Sequence, residues 1–525
     1  MVQLFPVAFL LAALSSGALA SIGPVATIPI VNKVIAPDGF SRDTVLADGT
    51  FPGPTISGFK GNTFELNVID QLKDKNLDTV TSVHWHGLFQ HTSNSADGPA
   101  FVTQCPIIPG DSFLYKFTVP TQAGTFWYHS HYRNQYCDGL RGAIVVKDPF
   151  DPHGSLYDVD DDSTVITLAD WYHVLSPAAS LVPAFDSVLI NGKGRYSGGT
   201  DVALSIVNVV HGLRYRLRLV SISCDPSFTF SIDGHQLTII EVDGQNVQPL
   251  VVDNLKIFVG QRYSAVLHAN QPVGNYWIRS LPTVTGATTD GGINSAILRY
   301  LGAPNKDPTT NSTLNLPLVE TNLHPLTNPA APGKPVPGGA DINLTFDVQF
   351  TSQLVFQVNG ATFNPPSVPV LLQILSGVPP ASLLPAGSVY PVQGNKVVEL
   401  VIPAGAAGGP HPVHLHGHAF SVVRSAGNAS YNFVNPVRRD VVSIGDTGDE
   451  VTIRWTTDNP GPWFFHCHID WHLNLGFAAV FAEDVPNVPA ADGGVSNAWR
   501  QLCPEYNKYM NLTSTNTTST NQTSS

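Results

Sequence analysis

Methionine is almost missing from this 525-residue sequence. The two present, Met1 and Met510, sit at its extremes, so no thioether ligand is available in the body of the chain. Charge is also scarce. Only 13% of residues are Asp, Glu, Lys or Arg, and no Lys/Arg run occurs. The net charge of −13 excludes nucleic acid and anionic membrane surfaces as partners. After the N-terminus no apolar stretch is long enough to span a bilayer. Amphipathic helical periodicity is rare. There are five cysteines and no C-x-x-C pair, which removes the usual structural zinc and dithiol motifs.

Glycine and proline are abundant, at 45 and 42 residues. They punctuate short β-branched and aromatic runs such as Phe64-Glu65-Leu66-Asn67-Val68 and Val441-Val442-Ser443-Ile444. This is the pattern of stacked all-β sandwiches or barrels. Hydrophobic content of 43% is enough for large cores. Residues 1–20 read as a secretory signal, with the apolar run Val7–Leu14 and the A-x-A site Ala18-Leu19-Ala20. The expected product is a secreted, extracellular chain starting at Ser21. Sequons at Asn311, Asn343, Asn428, Asn511, Asn516 and Asn521 imply surface N-glycans. The Ser/Thr/Asn-rich tail, Asn511–Ser525, cannot bury a core and is expected to be disordered or glycosylated. The Pro/Gly/Ala-rich segment Asn328–Ala340 reads as a linker or surface loop.

The densest chemical signal is His466-Cys467-His468-Ile469-Asp470-Trp471-His472. On a strand, His466 and His468 point to one face and Cys467 to the other. A Cys-ligated metal would then sit back-to-back with a His-ligated one. Three further pairs repeat the theme. His84-Trp85-His86-Gly87 is followed by His129-Ser130-His131, and His414-Leu415-His416-Gly417 by His466-Cys467-His468. Each half carries H-x-H-G and then a second H-x-H. This reads as duplicated domains facing each other across a site, with a middle stretch that has no H-x-H between them.

Eight paired imidazoles exceed what one metal can use and fit a cluster of three. His411, Cys467 and His472 remain. Two histidines and a thiolate are the ligand set of a blue-copper electron-transfer site. Zinc could occupy either set, but it has no redox chemistry to exploit a shared strand. The four other cysteines, Cys105, Cys137, Cys224 and Cys503, allow two disulfides in three connectivities.

These residues resemble the multicopper oxidases, and among them the secreted fungal laccases. Four segments carry the resemblance: H-W-H-G-L-F-Q…A-D-G-P-A-F-V-T-Q-C-P-I from His84, G-T-F-W-Y-H-S-H…D-G-L-R-G from Gly124, H-P-V-H-L-H-G-H from His411, and G-P-W-F-F-H-C-H-I-D-W-H…G-F from Gly461. Ser95 departs from the Trp that many relatives carry there.

The resemblance implies three cupredoxin-like Greek-key domains, at residues 21–151, 152–317 and 318–525. It implies four coppers: a type 1 ion on His411, Cys467 and His472, a type 2 ion on His84 and His414, and a type 3 pair on His86, His129, His131, His416, His466 and His468. It pairs Cys105 with Cys503 and Cys137 with Cys224. It puts Phe477, ten residues after Cys467, at the type 1 axial position, where it cannot coordinate. Asp225 is implied to accept the proton of a phenol beside His472, although an Asp-Pro turn is another reading. Asp97 is implied in proton delivery to the cluster, although an Asp before Gly-Pro also suits a turn.

The expected activity is one-electron oxidation of phenols and aromatic amines coupled to reduction of dioxygen to water, by a monomer acting in lignin degradation or detoxification. The competing readings are a ferroxidase-like metallo-oxidase and a non-enzymatic copper carrier. The carrier leaves the eight paired histidines without a use.

Overall fold

The computed structural model describes residues 21–284, 291–312 and 314–520. The expected signal segment, residues 1–20, lies outside the described residues, as does the last sequon at Asn521. The chain is all-β. Its strands form three successive sets of packed sheets, between residues 25 and 147, 165 and 300, and 342 and 483. Outer strands alternate as half-buried strands must. Ser112–Thr118, for example, buries every second side chain.

Four strands matter most. They are β1 (Val83–His86), β2 (Gly124–Ser130), β3 (Pro412–Leu415) and β4 (Gly461–Cys467), and all four are buried on both faces. One face packs into a sandwich core. The other faces the junction between the first and last sets.

The duplication extends from motif to topology. In the first set, Gly53–Phe59 runs parallel to Arg141–Lys147, which pairs antiparallel with β2, which pairs antiparallel with β1. In the last set, Val389–Val392, Ala478–Glu483, β4 and β3 repeat that order and those directions. The registers coincide: His84 faces His129, and His414 faces His466.

The middle set builds the same sheet a third time, from Ile206–Val209, Ser295–Tyr300, Asn275–Pro282 and Phe228–Ile232. There Ser231 faces Arg279. Ser231-Ile232-Asp233-Gly234 thus stands in the register of H-x-H-G. Arg279 donates to both oxygens of the buried Asp233, at 2.7 and 2.6 Å. A bidentate ion pair fills the space that the other two copies give to imidazoles. Ser280 of this copy and Ser130 of the first stand in the register of Cys467.

Two helices complete the frame. Helix α1 (Asp470–Asn474) follows β4 and carries His472. Helix α2 (Asn497–Thr520) corrects the expectation of a structureless tail, because it continues through Asn511 to Thr520. Its first turns are anchored on the first sandwich. Trp499 Nε1 donates to Thr103 O at 3.0 Å, and Cys503 is bonded to Cys105. Tyr509 shares a hydrogen bond with Thr79. An anchored nucleus lets a helix propagate through residues of modest propensity. The second disulfide joins Cys137 to Cys224, leaving Cys467 as the free, buried thiol. Asn328–Ala340 is a loop pinned in place, since Arg454 donates to the carbonyls of Pro332, Lys334 and Val336.

Removing the long-range bridge by Cys105→Ser/Cys503→Ser is expected to cost roughly 2–5 kcal/mol. Guanidinium denaturation should show an earlier midpoint. An unchanged midpoint would mean that Trp499 and its neighbours hold α2 without the bridge.

Candidate metal centre

Strands β1 to β4 end at the same junction and deliver all eight paired histidines to it. Every one is buried. They sort into trios whose ligand atoms lie within 4.8 Å of one another: His86, His129 and His468 in one, and His131, His416 and His466 in the other. A third grouping joins His84 and His414 with His86. Each trio draws on both halves of the chain, so neither half makes a site alone. This division was not legible in the sequence.

The hydrogen bonds fix which nitrogen is free. Nδ1 of His84 meets Asp97 O, Nδ1 of His414 meets Asp440 O, Nδ1 of His129 meets Ser130 O, and Nδ1 of His466 meets Cys467 O, each at 2.8 Å. A carbonyl oxygen only accepts, so each Nδ1 carries the proton and each Nε2 is a bare lone pair. Nε2 of His84, His129, His131 and His414 is buried with no protein partner. Nε2 of His416 lies 3.1 Å from Nε2 of His466, although both rings have their Nδ1 engaged elsewhere. Two lone pairs at that distance do not hydrogen-bond to each other. They fit a shared cation.

Burial keeps the rings neutral, and neighbouring imidazoles add to it. His466 is pushed down to about 3. His86, His129, His131, His414, His416 and His468 are all held well below the usual range. Neutral imidazole is the form that binds metal.

Asp97 and Asp440 cross the junction in opposite directions. Asp97 takes His84 on its carbonyl and, through Oδ2, His416 of the other half at 2.9 Å. Asp440 takes His414 on its carbonyl and, through Oδ1, His86 of the other half at 3.2 Å. Asp97 was a sequence candidate, and burial holds its carboxyl above the usual range. Asp440 was missed, because nothing in Arg438-Arg439-Asp440 marks it. The Asp97 loop also accounts for Ser95, whose N–H donates to Asp492 at 3.1 Å.

On the opposite face of β4, His411, Cys467 and His472 form a triangle. The two Nδ1 atoms are 3.1 Å apart, and Cys467 Sγ is 3.8 Å from each. A point in the plane about 2.1 Å from all three atoms suits metal bonds to imidazole and thiolate. His411 Nε2 donates to Ala406 O at 3.2 Å, which leaves Nδ1 bare. His411 is pushed down to about 4 and His472 to about 3, by burial first. Burial pushes the Cys467 thiol up, so a thiolate there needs a cation beside it.

Phe477 is buried with its ring 5.3 Å from that of His411. Phe356, which sequence reasoning missed, stacks on Phe477 and lies 4.8 Å from His472. Met510 is 39% exposed on α2 and remote from this pocket in the chain. Asp225 is half-buried, and its N–H donates to Asp170 at 3.0 Å. Burial, with the Asp170 charge, pushes its carboxyl up to about 7. Asp470 N donates to Cys224 O at 2.9 Å, which ties the Asp225 segment to the helix that carries His472.

Multicopper oxidase family models match residues 30–151, 162–303 and 363–487. A laccase from Phlebia radiata is 62% identical over 95% of this chain and 97% of its own length. The chain belongs to the multicopper oxidase family. Laccase-2 of Trametes versicolor is 59% identical over 95% of this chain and 97% of its own. Among solved structures, the laccase from Botrytis aclada matches with a TM-score of 0.78 at 31% identity, covering 94% of this chain and 93% of that one. Fet3p, a multicopper oxidase that functions in iron import, matches with a TM-score of 0.79 at 28% identity, covering 92% and 95%. The cofactor of this multicopper oxidase is copper, four ions per chain. The donor chemistry fits, with soft thiolate and imidazole on one face of β4 and imidazole alone on the other.

The depressed histidines set a pH dependence for the copper-free protein. Between about pH 6.5, where unfolded histidine titrates, and the folded values of about 4 for His411 and about 3 for His466 and His472, the unfolded chain binds more protons than the folded one. Stability therefore falls as pH falls through that window. Thermal unfolding of copper-free protein should show a midpoint that drops steadily from pH 6.5 to pH 4. A flat profile would mean that these rings take up protons without unfolding.

Proposed function

We propose that this multicopper oxidase is a secreted laccase that oxidises phenols and aromatic amines by one electron at a time and reduces dioxygen to water. The observation that carries this is the back-to-back arrangement on β4, with a triangle of two histidines and one cysteine on one face and two histidine trios on the other. His411, Cys467 and His472 hold the type 1 ion. His84 and His414 hold the type 2 ion. The trios His86–His129–His468 and His131–His416–His466 hold the type 3 pair. Bound copper supplies one-electron chemistry at the first set and four-electron reduction of dioxygen at the second.

The chain's own contribution is placement. Cys467 shares its backbone with His466 and His468, so the entry site is joined to each trio by a few covalent bonds. Phe477 and Phe356 wall the triangle, exclude water and offer no fourth ligand. Fewer donors and a hydrophobic wall both raise the potential of such a site. Asp225 accepts the phenolic proton as the electron leaves by His472. Its value of about 7 puts a base close to working pH. Asp97 orients His84 and His416, and it is the carboxyl placed to pass protons to the cluster.

The three sheet sets support domains at 21–151, 152–317 and 318–525. Asn343, exposed on the edge strand Ile342–Thr345, and Asn311 are accessible positions for N-glycans. The protein acts as a monomer in lignin degradation or detoxification. Oxygen uptake with a phenol and with ferrous iron tests the activity. A laccase consumes oxygen faster with the phenol, and strong preference for ferrous iron overturns the reading in favour of a metallo-oxidase.

Asp225→Asn should lower kcat/KM for phenols by about 100-fold. It should leave a non-phenolic one-electron donor within a few-fold of wild type. The acid side of the phenol pH profile should move to higher pH, because deprotonation must then come from solvent. Equal losses on both donors would reduce Asp225 to a turn residue. Phe477→Met should lower the type 1 potential and slow oxidation of phenols with electron-withdrawing substituents. Redox titration of the blue absorption checks this, and an unchanged potential would remove Phe477 from the axial position.

A further inference from the structure

All ten histidine donors come from the first and last sandwiches, yet the middle sandwich reaches the cluster through one turn, Phe258–Arg262. Three of its residues act there. Gly260 adopts φ +81°, and a Cβ on it would lie 2.8 Å from Cδ2 of His468. Its backbone therefore rests directly against that imidazole. Gln261 donates to Val441 O at 3.1 Å and accepts from Phe258 N at 3.0 Å, which fixes the turn to the strand beginning beside Asp440. Arg262 is fully buried and donates to both oxygens of Asp440 at 2.6 Å. Its remaining donors meet Thr125 O of β2 and Gly260 O. Asp440 in turn receives Nε2–H of His86, which leaves Nδ1 of His86 facing His468 at 3.1 Å.

We propose that the Phe258–Arg262 turn is the positioning element of the His86–His129–His468 trio, with Arg262 acting through Asp440 to hold the His86 tautomer and Gly260 setting the plane of His468. The proposal rests on assigning copper to the paired histidines. It concerns one trio only. Among the described residues the ion-pair partners of Asp97, which serves His416 in the other trio, are His84 and His416. The guanidinium is specific to the Asp440 side. Its planar fork meets two carboxylate oxygens and two carbonyls at once, which an ammonium cannot do. The middle copy gave up ligands in its own sheet, and through this turn it became part of a site built by the other two.

Chelator titration of the copper-loaded protein tests this, with copper per chain and blue absorption followed together. Wild type should carry four coppers. Arg262→Gln and Asp440→Asn should each release cluster copper at ~10–100-fold lower chelator concentration, the usual effect of losing a partner behind a ligand. Blue absorption from the Cys467 site should persist at those concentrations. The double variant should be no weaker than the weaker single variant, because both changes break one chain of contacts. Arg262→Lys should weaken retention in the same direction, and it is the variant read if Arg262→Gln does not fold. Retention equal to wild type in the folded variants overturns the proposal. So does parallel loss of blue and cluster copper, which marks general destabilisation. A wild-type protein without cluster copper would instead overturn the ligand assignment itself.

Discussion

The structure depends on holding unprotonated imidazole nitrogens close together inside protein. Lone pairs 3.1 Å apart repel, and burial removes the water that could separate them. Without a cation this is a costly arrangement, so the surrounding fold must enforce it. The enforcement is mostly backbone. Carbonyls of Asp97, Ser130, Asp440 and Cys467 take the proton-bearing nitrogen of four rings. Strand pairing then sets their positions, with His84 opposite His129 and His414 opposite His466. The crossing carboxylates lock the two halves to one another. Much of the all-β framework serves to bring four strand ends to one point.

A good part of this was legible in the chain. Four H-x-H pairs announce more imidazole than one metal needs, and the H-x-H-G repeat announces two copies that face each other. Alternation on a strand predicts that Cys467 and its flanking histidines serve opposite faces, and they do. What stayed hidden depends on contacts between copies. The sorting of six histidines into two mixed trios needs the relative placement of two sandwiches. Asp440, Arg262 and Phe356 lie far from the motifs in sequence, and their side chains look like ordinary ion-pair and core residues. Helix α2 escaped because its composition suggests no core of its own. It borrows one from the first sandwich through Trp499 and Cys503.

The middle copy shows how a binding sheet is retired. Ser231 and Arg279 stand where the other copies place facing histidines, and Asp233 stands where they place the second histidine of H-x-H-G. Deleting imidazoles alone would leave a buried polar gap. The bidentate Arg279–Asp233 pair satisfies both groups and closes the space. Serine in the register of Cys467 in two of the three copies leaves a single thiol. Electrons therefore have one entry point, although the sheet was built three times.

The mixed trios also bear on biosynthesis. Each needs residues from 84–131 and from 416–468, so no complete trio exists while the last third of the chain is still being translated. A nascent chain displays isolated His-x-His pairs that hold metal weakly, and tight loading begins only when the first and last sandwiches dock. Copper insertion then works as a proofreading step on tertiary assembly. A chain that misfolds anywhere between these sandwiches reaches secretion unmetallated and colourless, and can be sorted from its correctly folded siblings on that basis.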